Sequence, residues 1–428
     1  MNASRPLCLS ASLLLGLALS VLPAGAADRH VNPDGLCGGN VPCYTDLQSA
    51  IDASGPGDVI HVQAALYIPA ATVDVTVPVR ILGPMADNNP LPSKGTSRVP
   101  GSASEAIVCG AYSLATLMRI SASDVEVNGL EFRWGTGDLL ETVQTRPTSG
   151  VIIRNNIIHG SSGDEGMQLR NAAGALIECN HVYATAGDGI NLCCGSADGI
   201  IRWNEVHDIS SENAAVYVYS SNNTTIEGNL IYNTTLNEGI KLGAKYGPDS
   251  LLTGGTILNN KIHDTRQDGI AVYTSRTTVR CNEVYNSHSE NGGIYLAYKI
   301  SDVAVIDNRV HDNAFDTFKW GDPAGIMIHP EVYTSTVTVR NNSVYANSPN
   351  GMTNKAADPL VAEGNWWGAA DGPGPVGPGS GDRVSADVDY DPWLASPATH
   401  SCPEVLRCGD QPTPVRRTTW GSIKGYYR

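Results

Sequence analysis

Phenylalanine is almost missing: the 428 residues hold 3 Phe against 17 Tyr and 7 Trp. An interior built on large apolar rings is thereby excluded. The rings that remain carry polar handles suited to sugars, although Tyr also simply fits strands. Basic charge is scarce too, with 28 Lys+Arg against 43 Asp+Glu and a formal net charge of −15. That balance disfavours nucleic acid and anionic membranes as partners. No Cys-x-x-Cys or Cys/His set has zinc spacing. The single long apolar run, Leu13 to Leu22, is too short for a comfortable span, so no membrane insertion is expected. Arg5 precedes it and Ala24-Gly25-Ala26 follows, so residues 1–26 read as a secretory signal and place the protein outside the cell or at its surface.

Cys8 would leave with that signal, and the other cysteines would meet an oxidising compartment. Cys37 and Cys43 flank a Gly-rich loop and are expected to pair, as are Cys402 and Cys408. The partners of Cys109, Cys179, Cys193, Cys194 and Cys281 stay open. Cys179 and Cys281 lie too far apart to bridge each other, and Cys193 and Cys194 could each reach a neighbouring coil. An odd count leaves at least one thiol unpaired.

What the chain does have is a repeat. From Gly150 to Gly368 each copy holds a β-branched run, an Asn, an apolar residue, a His or Tyr, a polar turn, and Gly-Ile-x-Leu or a near variant. The Asn positions are Asn156, Asn180, Asn204, Asn229, Asn260, Asn282, Asn308, Asn342 and Asn365, with steps of 24, 24, 25, 31, 22, 26, 34 and 23. A period in the low twenties marks a solenoid, and the Leu-x-x-Leu-x-Leu frame of leucine-rich repeats is absent. Three before each Asn the residue is apolar (Ile153, Ile177, Ile201), and two after it again (Ile158, Val182, Val206). Two before, most are charged (Arg154, Glu178, Arg202). With period two, the aliphatic columns face inward and the charged column faces water. The nine Asn belong at a bend, where Asn tolerates left-handed backbone and its amide can bond its counterparts above and below; they are scaffold.

The frame Asn-x-Ile/Val-His/Tyr followed by Gly-Ile-x-Leu resembles the repeat of the pectin-lyase-like superfamily. Asn365-Trp366-Trp367-Gly368 through Pro375 is similar to the segment that often ends such secreted proteins, and His30 to Gly35 with Asp46 to Asp58 resembles their N-terminal cap. The resemblance implies an all-β, right-handed parallel β-helix of about a dozen coils, each burying its inner face against its neighbours. The expected organisation is a signal over 1–26, the β-helix over 27–394 with its closing segment at 365–375, and a Cys-clipped irregular tail over 395–428. A helix over 45–54 with Thr45 as N-cap is expected to cover the open first coil through Leu47, Ala50 and Ile51.

Two outward columns compete for function. His159, Tyr183, His207, Tyr232, His263, Tyr285, His311 and Tyr345 alternate. Alternate His would lie roughly 10 Å apart, beyond the reach of one metal, so a stacked ring ladder is expected. The other column is the outer face of the Gly-Ile-x-Leu strand: Gln168, Asn191, Tyr217, Lys241, Ala271, Tyr295 and Met327, with Arg170, Cys193, Tyr219, Gly243, Tyr273, Ala297 and His329 one step on. It varies from coil to coil, as a binding surface should. Arg170, Asn191, Tyr217, Tyr219, Tyr273, Tyr295 and His329 are the substrate-binding candidates. Lys241 is the candidate for a uronate carboxylate or C5 proton, with Glu238 and Asp268, about 5 Å apart on successive coils, as catalytic carboxylates. The turn acids Asp164, Glu165, Asp188, Glu238 and Asp268 precede these strands, and calcium is a candidate cofactor at Asp188, Glu238 and Asp268; ordinary turn chemistry explains them as well.

No Asp-Pro-His-Asp of the kind alginate epimerases carry is present (Asp322-Pro323 is nearest), nor an Arg-x-Pro-x-x-Arg resembling pectate lyases, nor a Gly-rich nonapeptide tandem. The expectation is a monomeric extracellular protein that binds a polysaccharide or cell-surface glycan, with lyase or hydrolase activity left open. The alternative is a non-catalytic surface or adhesive display rod.

Overall fold

The computed structural model describes residues 25–244, 254–288, 290–314, 322–403 and 408. The apolar run of the expected signal and the terminal residues 409–428 lie outside the described residues. Every ladder in the three long sheets is parallel, and strands visit the sheets in rotation, so the chain coils. The first sheet has 13 strands and the second and third 11 each, matching the expected number of coils. Ile153, Ile177 and Ile201 stand in register on the first sheet, Ile158, Val182 and Val206 on the second, all fully buried. The third sheet adds Met167, Ile190, Val216, Ile240 and Ile270 to the same core.

The nine Asn join the first sheet to the second. Each backbone N–H, from Asn156 to Asn342, donates to Oδ1 of the next ladder Asn at 2.9–3.0 Å. Each Nδ2 also reaches a carbonyl of the preceding coil, as from Asn204 to Ile177 at 3.0 Å. The left-handed residue at this bend is not the ladder Asn, as expected, but the one before it: Asn155, Cys179, Trp203, Gly228, Asn259, Cys281, Asp307, Asn341 and Gly364 all have positive φ. The ladder Asn is needed for its amide, and the residue before it absorbs the turn.

The other faces settle into ladders of their own. The charged column is an ion-pair series, with Arg154 to Glu126 and Arg202 to Glu178 at 2.7 Å. On the second sheet the His/Tyr rings from His159 to Tyr345 stack at centroid distances of 4.6–5.3 Å. Several His are clamped by the Asp that follows, as His263 Nδ1 by Asp264 at 2.6 Å.

The ends are closed. The first coil is covered by the helix Leu47–Asp52, whose Leu47, Ala50 and Ile51 are buried. Its N-cap is Asp46, not Thr45: the Asp46 carboxylate accepts from Ser49 N at 2.8 Å, and a carboxylate at a helix N-terminus also meets the helix dipole. At the far end Trp366 packs at a tilt against Tyr345, with ring centroids 5.2 Å apart, and Trp367 is fully buried.

Cys37–Cys43 forms as expected. Cys402 and Cys408 do not pair with each other; the bonds are Cys281–Cys402 and Cys179–Cys408. The tail runs back across the coils, with Asn341 Nδ2 donating to Thr399 O and Arg280 Nη2 to Ser401 O. Cys281 and Cys179 both hold the left-handed position of the Asn bend, four rungs or about 19 Å apart at the strand spacing. Six residues of chain reach about 20 Å at full extension, so Cys402 and Cys408 can each take one. The result is a longitudinal strap.

Two stability tests follow from the ladder and the strap. Asn204→Ala strips the acceptor from Asn180 N and the donor from Ile177 O, both buried, and is expected to cost roughly 2–6 kcal/mol at one to three per orphaned group, read by chemical denaturation. The strap bonds close loops of 229 and 121 residues. Cys179→Ser with Cys408→Ser should destabilise by about 2–4 kcal/mol, and Cys37→Ser with Cys43→Ser by clearly less.

Candidate functional site

The third sheet differs from the other two because its outer column does not repeat. The register runs Asp74, Arg119, Glu141, Gln168, Asn191, Tyr217, Lys241, Ala271, Tyr295, Met327, Thr353. One step on, Arg170, Cys193 and Tyr219 are aligned. The chain thus carries charge and amides at one end of this strip and rings at the other.

Lys241 sits at its middle. Its ammonium lies 3.0 Å from Glu238 Oε1, and 5.6 and 5.5 Å from the ring centres of Tyr217 and Tyr273. A cation between two ring faces and a carboxylate is held by both kinds of attraction. Tyr219 stacks on Tyr217 at 4.8 Å. Beyond Lys241, Tyr273, Tyr295, Ala271, Ala297, Ala324 and Met327 form a second apolar cluster outside the helix core, with Tyr298 packed against it. Tyr298 stacks on Tyr273 and lies 4.4 Å from His329. Burial first, then nearby carboxylates, pushes the Tyr273 and Tyr295 phenols up, so they are hydrogen-bond donors.

The turn before each strand contributes an acid column. Asp138, Glu165 and Asp188 occupy one position on successive coils, and Glu238 and Asp268 share it further on. All five are buried. Burial pushes Asp138 up to about 6, and burial with hydrogen bonding to Asp164 and Asp138 pushes Glu165 up further. Asp188 is raised by burial, against donors from Ser211, Asn191 and Ala214. Three acceptor oxygens near this turn, Glu165 Oε2, Gln168 Oε1 and Asn191 Oδ1, are buried without a hydrogen-bond donor.

The family model described as "Right handed beta helix region" matches residues 115–247 and 208–366. The chain belongs to that family. Among solved structures it is similar to the A-module of Azotobacter vinelandii mannuronan C-5 epimerase AlgE4, at 14% identity and TM-score 0.52, over 75% of this chain and 90% of that one. The AlgE6 A-module from the same organism matches at 14% identity and TM-score 0.51, over 81% of this chain and 94% of that one. At such identity the likeness is one of fold. No curated protein sequence matches.

The expected site residues lie on the third sheet or in the turns beside it. The strip is not an open face: Asn191, Tyr217, Lys241, Tyr273 and Tyr295 are buried, because aromatic side chains cross from coil to coil above the strand. Arg170, Tyr219, Tyr298 and His329 are the half-exposed rim. Arg170 binds Glu141 at 2.8 Å and Asp138 at 3.2 Å, within the protein. Of the calcium candidates, Asp188 and Glu238 are two coils apart with Ala214 between, about 10 Å at the strand spacing. Among the described residues the acids gathered closely enough for one ion are Asp138, Asp164 and Glu165, with donor oxygens within 4.8 Å of one another. Asp268 is spent on Gly292 N and Asn291 Nδ2, at 3.0 and 3.2 Å. Sequence reasoning missed Asp138, Glu141 and Tyr298. Asp138 was findable, since it stands one coil before Glu165, whereas Tyr298 lies in a left-handed turn that strand periodicity does not reach.

The acid cluster makes a pH prediction. An unfolded Glu titrates near its ordinary 4.5, and the raised folded value means that the native chain keeps a proton the unfolded chain has lost. Stability from this site is therefore full at low pH and declines as pH rises through that window. Glu165→Gln mimics the protonated form. Its Tm should exceed wild type at pH 8 by about 1–2 °C per kcal/mol regained and match it at pH 4, in thermal unfolding followed by circular dichroism.

Proposed function

We propose that this protein is an exported polysaccharide-binding β-helix whose ligand lies along the outer face of the third sheet. The observation that carries the reading is the contrast between faces. The first and second sheets present repeating ion-pair and ring ladders, whereas the third carries a non-repeating set of rings, amides and one lysine–carboxylate pair. Saccharide rings would meet Tyr219, Tyr298 and His329, with Arg170 at the acidic end for a charged substituent. The Tyr phenols supply donors and Asn191 Oδ1 an acceptor, and the Lys241–Glu238 pair forms the polar floor. The likeness in fold to mannuronan C-5 epimerase modules supports a polymer of sugars as ligand, and three disulfides support export. Acid–base chemistry on a uronate would use Lys241 to neutralise the carboxylate, with a Tyr hydroxyl placed to donate a proton. A divalent cation held by Asp138, Asp164 and Glu165 would serve the same end.

Complete burial of the Lys241 side chain favours a second reading, a non-catalytic display rod in which this pair is internal scaffold. A panel of pectate, alginate, chondroitin and neutral glycans separates the two. Retention in affinity electrophoresis that falls at least tenfold in Tyr219→Ala and His329→Ala is expected, and unsaturated products would identify a lyase. Neither binding nor turnover on any glycan would leave the display role. Lys241→Met alone strands a buried carboxylate and should cost about 3–5 kcal/mol. The double variant Lys241→Met/Glu238→Gln is therefore the right probe of the floor, expected to fold and to bind weakly.

A further inference from the structure

Beside the binding strip lie two adjacent thiols. Cys109, Cys193 and Cys194 carry no disulfide, while the six other described cysteines are all bonded. In an extended strand neighbouring side chains point to opposite faces. Cys193 ends its strand on the outer column, aligned with Arg170 and Tyr219. Cys194 then turns left-handed, at φ +62°, which breaks the alternation. Both sulfurs therefore meet the Tyr219 hydroxyl and each other, with Cys194 Sγ 3.8 Å from Tyr219 Oη. The backbone is pinned in this shape: Asn171 N and Ser196 Oγ donate to Cys193 O, and Cys194 N donates to Tyr219 O. Cys193 is buried and Cys194 half-exposed.

We propose that Cys193 and Cys194 are a redox site that closes to a vicinal disulfide. The Cys194 thiolate attacks one sulfur of a small-molecule disulfide R–S–S–R, forming a mixed disulfide and expelling RS⁻. Cys193 then loses its proton and attacks the Cys194 sulfur, expelling the second RS⁻. Two protons and two electrons leave the protein, and the reagent is reduced to two thiols. Neighbouring Cα atoms are about 3.8 Å apart, short of the usual disulfide range of roughly 4.4–6.8 Å. The bond is thereby strained, and strained bonds are the readily reduced, responsive ones. The three structural bonds, each with Cα atoms 5.7 Å apart, are free of that constraint. Closure replaces two thiol donors with a rigid apolar plate against Tyr219. The inference does not depend on what the strip binds.

The test is differential alkylation of the full chain purified without reductant. Free thiols are blocked in denaturant with light N-ethylmaleimide, the protein is reduced, and new thiols take the heavy reagent before peptide mass spectrometry. Cys193 and Cys194 should carry heavy label and Cys109 light label. Before reduction, the peptide spanning 193–194 should show the two-dalton loss of an internal bond. Light label on both, or a bond from either to Cys109 or to another chain, overturns the proposal. In a titration with reduced glutathione the pair should open at a concentration at least tenfold below that opening Cys179–Cys408. Opening of both together would overturn the responsive role.

Discussion

A primary amide that must be both donor and acceptor on consecutive coils sets the terms for the whole molecule. Each ladder Asn offers Oδ1 to the coil before it, while its own N–H and Nδ2 reach toward the coil after it. A second Nδ2 contact to a carbonyl, such as Ile153 O for Asn180, fixes the side-chain rotamer. Buried polar groups tolerate no drift from their partners, so the coils are locked at one spacing and one phase. The long steps to Asn260 and Asn342 leave the ladder bond unchanged, at 2.9 Å from Asn229 N and from Asn308 N.

Once phase is locked, every other column inherits the strand spacing. Planar rings at about 4.8 Å stack on one another, which accounts for the His/Tyr column of the second sheet. Opposite charges at the same spacing pair along the first sheet. These faces are internally satisfied and have little left to offer a ligand. An open groove of about 680 Å³ lined by Asp307, Arg340, Glu363 and Pro392 lies on the first sheet, but Asp307 is already held by Arg280 and Asn341. The third sheet gathers buried acceptors without donors, Glu165 Oε2, Gln168 Oε1 and Asn191 Oδ1, beside acids whose affinity for protons burial raises.

The strap adds a constraint that coils cannot supply for themselves. A solenoid resists shear between neighbours through nearest-neighbour contacts only. Disulfides from Cys402 and Cys408 tie together coils four rungs apart, so local opening between them is coupled across the span. Arg280 serves both systems, pairing with Asp307 on its own sheet and donating to Ser401 O in the strap.

Period and side-chain direction were legible in the chain itself, because a coil buries the same columns every turn. The aliphatic columns, the Asn ladder, the ring stack and the variable strip of Gln168 to Met327 all follow from counting. Three things were not legible. The left-handed residue sits one place before the Asn, because the amide and the turn are separate demands on neighbouring residues. The partners of Cys179 and Cys281 come from a tail whose path depends on where the coils put their edges. The burial of Lys241 depends on rings from other coils crossing above it. Local periodicity decides what each residue faces; only contacts between segments remote in sequence decide what, in the end, faces it back.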